Sequence, residues 1–510
     1  MSAIITDQLR ISNALSFLDK VNNTSSNSYY VFLGLSNPTD YLSTWENNPP
    51  FQRDNFNEEN KCWDTMFSLK KIFPSDVSPV VRRINWESGR IYDMYRHDIS
   101  IDKRANQTNS TSLYTSDYYV VTKDYRVYIC LQNGTSPESL NGNPSLDEPT
   151  FTDLEPRAAG TSGDGYIWKY LYTIRPNEIV KFDSTNFIPV PKNWTTNQEN
   201  AAVRLNAASS GQLKIINVTS RGSNLGAPGL YQNIPIKGDG QGATATIVVG
   251  SDNTVDRIFV SNGGSGYTFG TVDLENSGLF LVDPPKFDVI IPPKGGHGAN
   301  IYRELGSTNV LIYSRIENDI GDPDFIVGNK ISRIGIVENP EAFDSTSILN
   351  KEKASAVYAL KLKEPGSSSA VIPANVTFTQ QIVGVGTAVG RCVSYDNETG
   401  VLKFWQDRTL YGYTTSLLGI QTNAPYGLSQ NQFTGGTILV NSNTIEIDTN
   451  FSGISTAINN GIIYLGQNFN NGIANPEVKK HTGNIIYVDN RPSISRSPNQ
   501  KEDIKVILQF

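Results

Sequence analysis

Three glycine-rich stretches carry residue types and spacings that could bind phosphate or a metal ion. Gly384-x-Gly386-x-x-x-Gly390 follows an apolar run, as a dinucleotide-binding turn does, and would offer backbone N–H groups to a pyrophosphate. Its spacing is one residue too long. The segment after it reads strand–turn–strand, where phosphate binding needs a helix N-terminus, so glycines in a tightly curved sheet explain it better. Lys237–Gly242 (KGDGQG) lacks the Gly-Lys-Ser/Thr of a phosphate loop. Gly295–Asn300 (GGHGAN) has the shape of one calcium-binding nonapeptide unit. Such sites take tandem copies with Asp at the ligand position, whereas here a single copy carries Asn300.

Side chains elsewhere offer little more. His97 stands near Tyr95 and Asp98, a pattern typical of a surface or structural pair. His97, His297 and His481 are scattered, as are Cys62, Cys130 and Cys392, and no Cys/His spacing suits zinc. Three distant cysteines make no disulfide framework and suit a reducing compartment. There is no Gly-x-Ser-x-Gly elbow, and no Asp/Glu pair is nominated for glycoside hydrolysis. The residues therefore predict a non-enzyme without cofactor or metal. Lys+Arg 43 against Asp+Glu 50 gives a net charge of -7 without a basic run, which argues against nucleic acid as partner. No stretch approaches a membrane span, and the first twenty residues lack the apolar region of a secretory signal.

Residues 163–173 (GDGYIWKYLYT) pose a sharper question. Tyr166, Trp168, Tyr170 and Tyr172 occupy every second position, so a strand would put four rings on one face. A sugar platform exposes one or two rings among polar neighbours. Four in register, with Ile167 and Leu171 behind them, read as core or subunit interface.

The elements that would position these residues are mostly strands. Ile11, Leu15, Leu18 and Val21 recur at helical spacing after Thr6 or Asp7, which predicts a helix over 6–21. A strand follows at Ser28–Leu35. A second helix is predicted over 57–73, opened by Asn57 and stopped by Pro74, with Cys62, Trp63, Met66, Phe67, Leu69 and Phe73 on its apolar side. From residue 110 onward short β-runs alternate with Gly, Asn, Asp and Pro, and Asp396–Gly400 reads as a hairpin turn. The fold class is mainly β with a few helices (α+β), multidomain, built of β-sandwich or small-barrel domains. The terminal alternation Ile504, Val506, Leu508, Phe510 predicts a last strand tied into a sheet.

Several ordered segments together resemble a known family. They are Ile11–Val21, Tyr29–Gly34, Trp63–Phe73 with PSDVSPVVRRINW (Pro74–Trp86), GDGYIWKYLYTI (Gly163–Ile174), FIPVPKNW (Phe187–Trp194), ISRIGIVENP (Ile331–Pro340) and the closing GNIIYVDNRPSI…EDIKVILQF. In order and spacing they are similar to the baseplate wedge subunit, gene product eight, of T-even-type contractile-tailed phages. Residues near 205–300 and 351–480 depart from that pattern, a layout like that of the enlarged versions in cyanobacterial phages. The resemblance implies a discontinuous wedge core (1–200, 301–345 and 481–510) with two inserted β-domains, one Gly-rich at 205–300 and one at 351–480. It also implies a late structural virion protein of the tail baseplate, assembled in the host cytoplasm. That protein would pair as a homodimer, contact other wedge proteins, and take part in the rearrangement that triggers sheath contraction. Interface anchors are commonly Tyr, Trp and Arg, so the candidates are Arg82, Arg83, Trp86, Trp168, Tyr170 and Arg491. The alternatives are a receptor- or glycan-binding tail protein with binding faces on the inserted domains, and a capsule-degrading tail enzyme. The enzyme would call for solenoid repeats and clustered carboxylates, and neither is seen.

Overall fold

The computed structural model describes residues 4–36, 45, 48–209, 212–317, 330–363, 372–416, 418–458, 461–495 and 500–510. The chain is mainly β with a few helices, its strands lying in antiparallel sheets. It divides into two compact units. One holds Met1–Leu18, Ser78–Leu311 and Ile507–Phe510; the other holds Asp19–Val77 and Ile312–Val506.

In the first unit the aromatic strand Tyr166–Thr173 is the edge of a three-stranded sheet, beside Arg126–Asn133 and then Tyr119–Val121. Three of the four rings, Tyr166, Trp168 and Tyr172, are fully buried and Tyr170 is half-buried, while Lys169 and Leu171 on the opposite face are buried too, so both faces are largely covered. The rings join one core with Tyr92, Tyr118, Tyr119, Tyr128, Trp194 and Tyr302. The first helix, Asp7–Asn22, begins where Thr6 Oγ1 accepts the N–H of Leu9 at 3.4 Å. Its Ile11 enters this core, and Phe17 lies 5.7 Å from the ring of Phe510, so the last residue is tied down. The Phe510 N–H also reaches the Thr308 carbonyl at 3.1 Å.

The Gly-rich region of the same unit has its own four-stranded sheet, ordered Val255–Asn262, Thr244–Val249, Gly229–Gly238, Gly270–Val272. A two-stranded ladder, Ile216–Ser220 with Lys286–Val289, lies beside it in sequence, and Ile234, Ala245, Ile247 and Val255 form a separate small core.

The second unit holds two larger sheets. Five strands run in the order Lys353–Ser355, Met66–Ile72, Tyr29–Gly34, Lys330–Glu338, Asn484–Ser495. Seven run in the order Asn443–Glu446, Thr437–Val440, Thr377–Ile382, Gly386–Asp396, Val401–Trp405, Tyr358–Lys361, Ile473–Ala474. The hairpin turn after Asp396 closes as expected, the Gly400 N–H meeting the Asp396 carbonyl at 2.8 Å with Gly400 at φ +68.

One element needs correction. The helix expected over 57–73 covers only Phe56–Thr65, its N-cap is Asn55 rather than Asn57, and Met66–Ile72 is a strand. Tyr29–Gly34 is buried at every position, and Met66–Ile72 supplies one of its two hydrogen-bonding neighbours. A strand covered on both faces shows no period of two, so its apolar run mimicked a continuing helix. A buried cation sits at the end of the helix. Arg333 Nη1 donates to the Lys61 carbonyl at 3.2 Å and to Thr65 Oγ1 at 2.5 Å, at the end where a positive charge is favoured.

Candidate interaction surface

The glycine motifs serve the fold. Gly384 and Gly386 take positive φ between the Thr377–Ile382 and Gly386–Asp396 strands. A Cβ on Gly390 would meet the rings of Phe378 and Phe404 at 2.6 and 2.8 Å. In GGHGAN, Asn300 Oδ1 caps the short helix Ile301–Leu305 by accepting the Arg303 N–H at 3.1 Å. His297 Nδ1 lies 2.6 Å from Glu304 Oε1, and Glu304 Oε2 accepts the Gly298 N–H at 2.6 Å, the whole pair being buried. The motif is thus a clamp closing a loop on its own helix. Among the described residues, no group of three or more His, Cys, Asp or Glu is placed to hold a metal ion.

His97 is exposed, with its Nδ1 accepting the Ile291 N–H at 3.2 Å. Desolvation of the ring by its neighbours pushes its pKa down. All three cysteines are buried and free. Burial pushes Cys392 up to about 12 and raises the other two as well, so none has the thiolate character of a nucleophile.

Interaction with other proteins rests on surface. Three of the six anchor candidates follow one another along the Val77–Arg82 strand and its extension. Arg82 donates to the Ser116 carbonyl at 2.8 Å and lies 3.3 Å from Asp117, whose other oxygen takes Arg90 at 2.7 Å. Both guanidiniums keep over a third of their side-chain surface exposed. Arg83 bridges Asn85 and Asp183, and half-buried Trp86 donates to Ser145 Oγ at 3.0 Å. Tyr170 is half-buried, edge-on to Tyr128, with its hydroxyl 2.8 Å from that of Thr173. Trp168 packs inside its unit, stacked on Tyr166 at 5.3 Å and edge-on to Tyr92 at 5.9 Å, so its ring offers nothing to a partner. Arg491 belongs to the other unit. It is half-exposed, paired locally with Asp489, and its carbonyl accepts the Trp45 indole N–H at 3.0 Å.

Sequence reasoning missed the exposed apolar groups: Leu230, Phe259, Phe269 and Phe280–Val282 in the Gly-rich region, and the turn residues Val383 and Val385. Val383-Gly384-Val385-Gly386 was the available signal, two valines at a turn that could not bury them.

Comparison with known proteins now bears on this surface. Residues 3–153 match the model of a family described as bacteriophage T4 Gp8. Over 217 residues the chain is 26% identical to the baseplate wedge protein gp8 of Enterobacteria phage T4. The chain is gp8-like. That alignment takes in 37% of this chain and 60% of the curated relative, so the likeness is partial on both sides. The family match includes Arg82, Arg83 and Trp86, while Trp168, Tyr170 and Arg491 lie beyond it.

Proposed function

We propose that the chain is a structural subunit of the baseplate of a contractile phage tail and acts through protein–protein interfaces. The observation that carries this reading is the match of residues 3–153 to the Gp8 family, extended by the likeness to the T4 baseplate wedge protein. On this reading the subunit pairs with a second copy, joins other wedge proteins, and moves with them when the plate rearranges before sheath contraction. The domain scheme inferred above, a wedge core with insertions at 205–300 and 351–480, is part of the same proposal. Arg82, Arg83, Trp86 and Tyr170 are the anchors it would use on the first unit, and Arg491 on the second. Half-exposed Trp, Tyr and Arg side chains are the residue types that anchor stable interfaces, which at the obligate size bury roughly 2,000 Å² or more.

The test is the solution mass of the full chain by light scattering, alone and with the other wedge proteins of the same phage. A species of about twice 56.1 kDa that enters a larger complex is expected. A particle that ignores the wedge proteins overturns the reading. A second reading, glycan binding by the Gly-rich region, draws support from the exposed rings of Phe259, Phe269 and Phe280. It expects retention on host polysaccharide, lost when these rings are replaced.

A further inference from the structure

Three turns of the second unit repeat one pattern, an apolar residue, a glycine and a second apolar residue: Val383-Gly384-Val385, Leu418-Gly419-Ile420 and Tyr426-Gly427-Leu428. Each turn is closed by its own backbone. The N–H groups of Val385, Gly419 and Gly427 donate to the carbonyls of Ile382, Ser416 and Ala424 at 3.1, 2.9 and 3.1 Å. The middle glycines stand at φ +77, +76 and +95 with open space around them. Side chains at the crest of a turn point away from their own sheet, so these stay in water. Val383 is fully exposed and Leu418 86% exposed, while Val385, Ile420 and Leu428 are each more than half exposed.

The turns share one end of the seven-stranded sheet. The Tyr413–Thr415/Gln421–Asn423 hairpin is tied to the third turn where the Gly412 N–H meets the Gly427 carbonyl at 2.8 Å. The chain then returns to the Gly386–Asp396 strand, beside the first turn, where Asn431 Nδ2 donates to the Thr387 carbonyl at 3.1 Å. Gln406 fixes that return by donating to the Val389 and Asn431 carbonyls at 3.0 and 2.9 Å.

Charge is missing from this end. Residues 372–390 and 409–445 hold no Asp, Glu, Lys, Arg or His, in a chain that is 18% charged. The bordering charges are paired: Arg391 with Asp407 at 2.7 Å, Arg408 with Asp64 at 2.9 Å, and Lys363 with Glu446. Apolar side chains without charges among them are the composition of an interface core. With exposed Tyr413, the turn residues offer an area on the order of the ~800 Å² that each partner gives to a standard interface.

Charge also points to the occupant. The chain carries a net charge of -7, so two copies repel over most of their surface. Here nothing repels, and a second copy brings a face equally free of charges that would be buried unpaired. Protruding apolar pairs with bare glycines between them give one face both ridges and hollows, which a two-fold axis sets against each other.

We propose that this end of the seven-stranded sheet meets its own copy across a two-fold axis, the apolar turns of one chain packing on those of the other. The inference rests on the pairing of copies proposed above and gives that pairing a surface, outside the family match at residues 3–153.

Light scattering of the full chain tests it with two double variants, Val383→Asp/Leu418→Asp and Val383→Lys/Leu418→Lys. Both positions face water, so each variant should melt as the natural chain does. At a concentration where the natural chain has about twice 56.1 kDa, each variant alone should have the mass of one chain. An equimolar mixture of the two should regain the double mass, because opposite charges then face each other. A variant that still pairs alone, or a mixture that stays at single mass, overturns this face and leaves the pairing of the natural chain standing. A natural chain of single mass overturns both. If the variants keep pairing but lose entry into the wedge complex, or lose a binding to phosphatidylcholine vesicles that the natural chain shows, the face belongs to that other partner and the inference fails.

Discussion

The two units solve the problem of buried polar groups differently. In the first, tyrosine hydroxyls satisfy backbone carbonyls of the elements and connections packed around a sheet of three strands. Tyr118, Tyr119, Tyr172 and Tyr302 donate to the carbonyls of Glu304, Arg82, Pro189 and Pro191 at 2.5, 2.6, 3.1 and 2.8 Å, and Tyr128 donates to that of Phe151. In the second, sheets of five and seven strands satisfy their own backbones, and a principal core is made of rings without hydroxyls, Phe378, Phe404 and Phe433 within 5.2 Å of one another. Of these acceptors Glu304 lies in the helix Ile301–Leu305 and Arg82 and Pro189 in strands, so the hydroxyls tie elements to the core as well as connections, and the second unit uses the same device where Tyr30 donates to the Lys351 carbonyl at 2.7 Å. The aromatic stripe of Tyr166–Thr173 is one part of that first solution rather than a binding platform.

If this contrast is right, the largest loss comes from breaking the polar clamp of the first unit. Glu304→Leu leaves His297 and the Gly298 N–H buried without their acceptor, and should cost about 3–5 kcal/mol. Urea unfolding followed by tryptophan fluorescence would measure it. In the second unit the comparable point is Arg333, 1% exposed, bonded to Lys61, Thr65 and Asn490. Arg333→Met should cost about 2–4 kcal/mol by leaving those acceptors unpaired. Protection of the Phe56–Thr65 helix against hydrogen exchange should fall with it; full protection would show that packing alone ends the helix. A smaller effect tests the tyrosine rule directly. Tyr119→Phe removes only the bond to the Arg82 carbonyl and should cost about 1 kcal/mol in the same urea assay. No loss would mean that the hydroxyl follows the end of the Val77–Arg82 strand rather than holds it.

How much of this was legible depended on whether the signal was local. The stripe Tyr166, Trp168, Tyr172 declared a strand because period two survives when one face is uniformly aromatic. The first helix and the Asp396–Gly400 turn were equally visible, since caps and turns use neighbouring residues. Met66–Ile72 was not, because its strand character is imposed by Tyr29–Gly34 across the sheet. His297 was noticed for its glycines, yet its partner Glu304 carries no motif, and only the loop's return onto its helix joins them. The apolar turns at Gly384, Gly419 and Gly427 are plain one by one, but only the return of the chain to Thr387 through Asn431 gathers them at one end of a sheet. Of the six anchor candidates, the sequence could supply residue types but not exposure, which is how Trp168 came to stand beside Arg82.

The last test concerns charge at a place where the first unit uses ions instead of tyrosines. Asp98 meets Arg96 at 3.0 Å and Lys103 at 2.6 Å, and both cations also approach Asp288. Burial pushes the Asp98 carboxyl up, but the bonds and charges of Arg96 and Lys103 outweigh it and hold the pKa at about 2, below its ordinary 3.8. Between those values the unfolded chain binds more protons than the folded one, so stability must fall with the pH. The contribution is complete above the ordinary value and disappears as the pH drops through about 2. Because the cluster is partly open to water, its worth should stay below about 1 kcal/mol. Asp98→Asn should therefore lower Tm slightly at neutral pH and flatten its decline from pH 4 to pH 2, both being read from melting curves across that range. Parallel curves for the two proteins would mean that solvent screens the quartet, leaving the clamp at Glu304 as the first unit's stronger electrostatic tie.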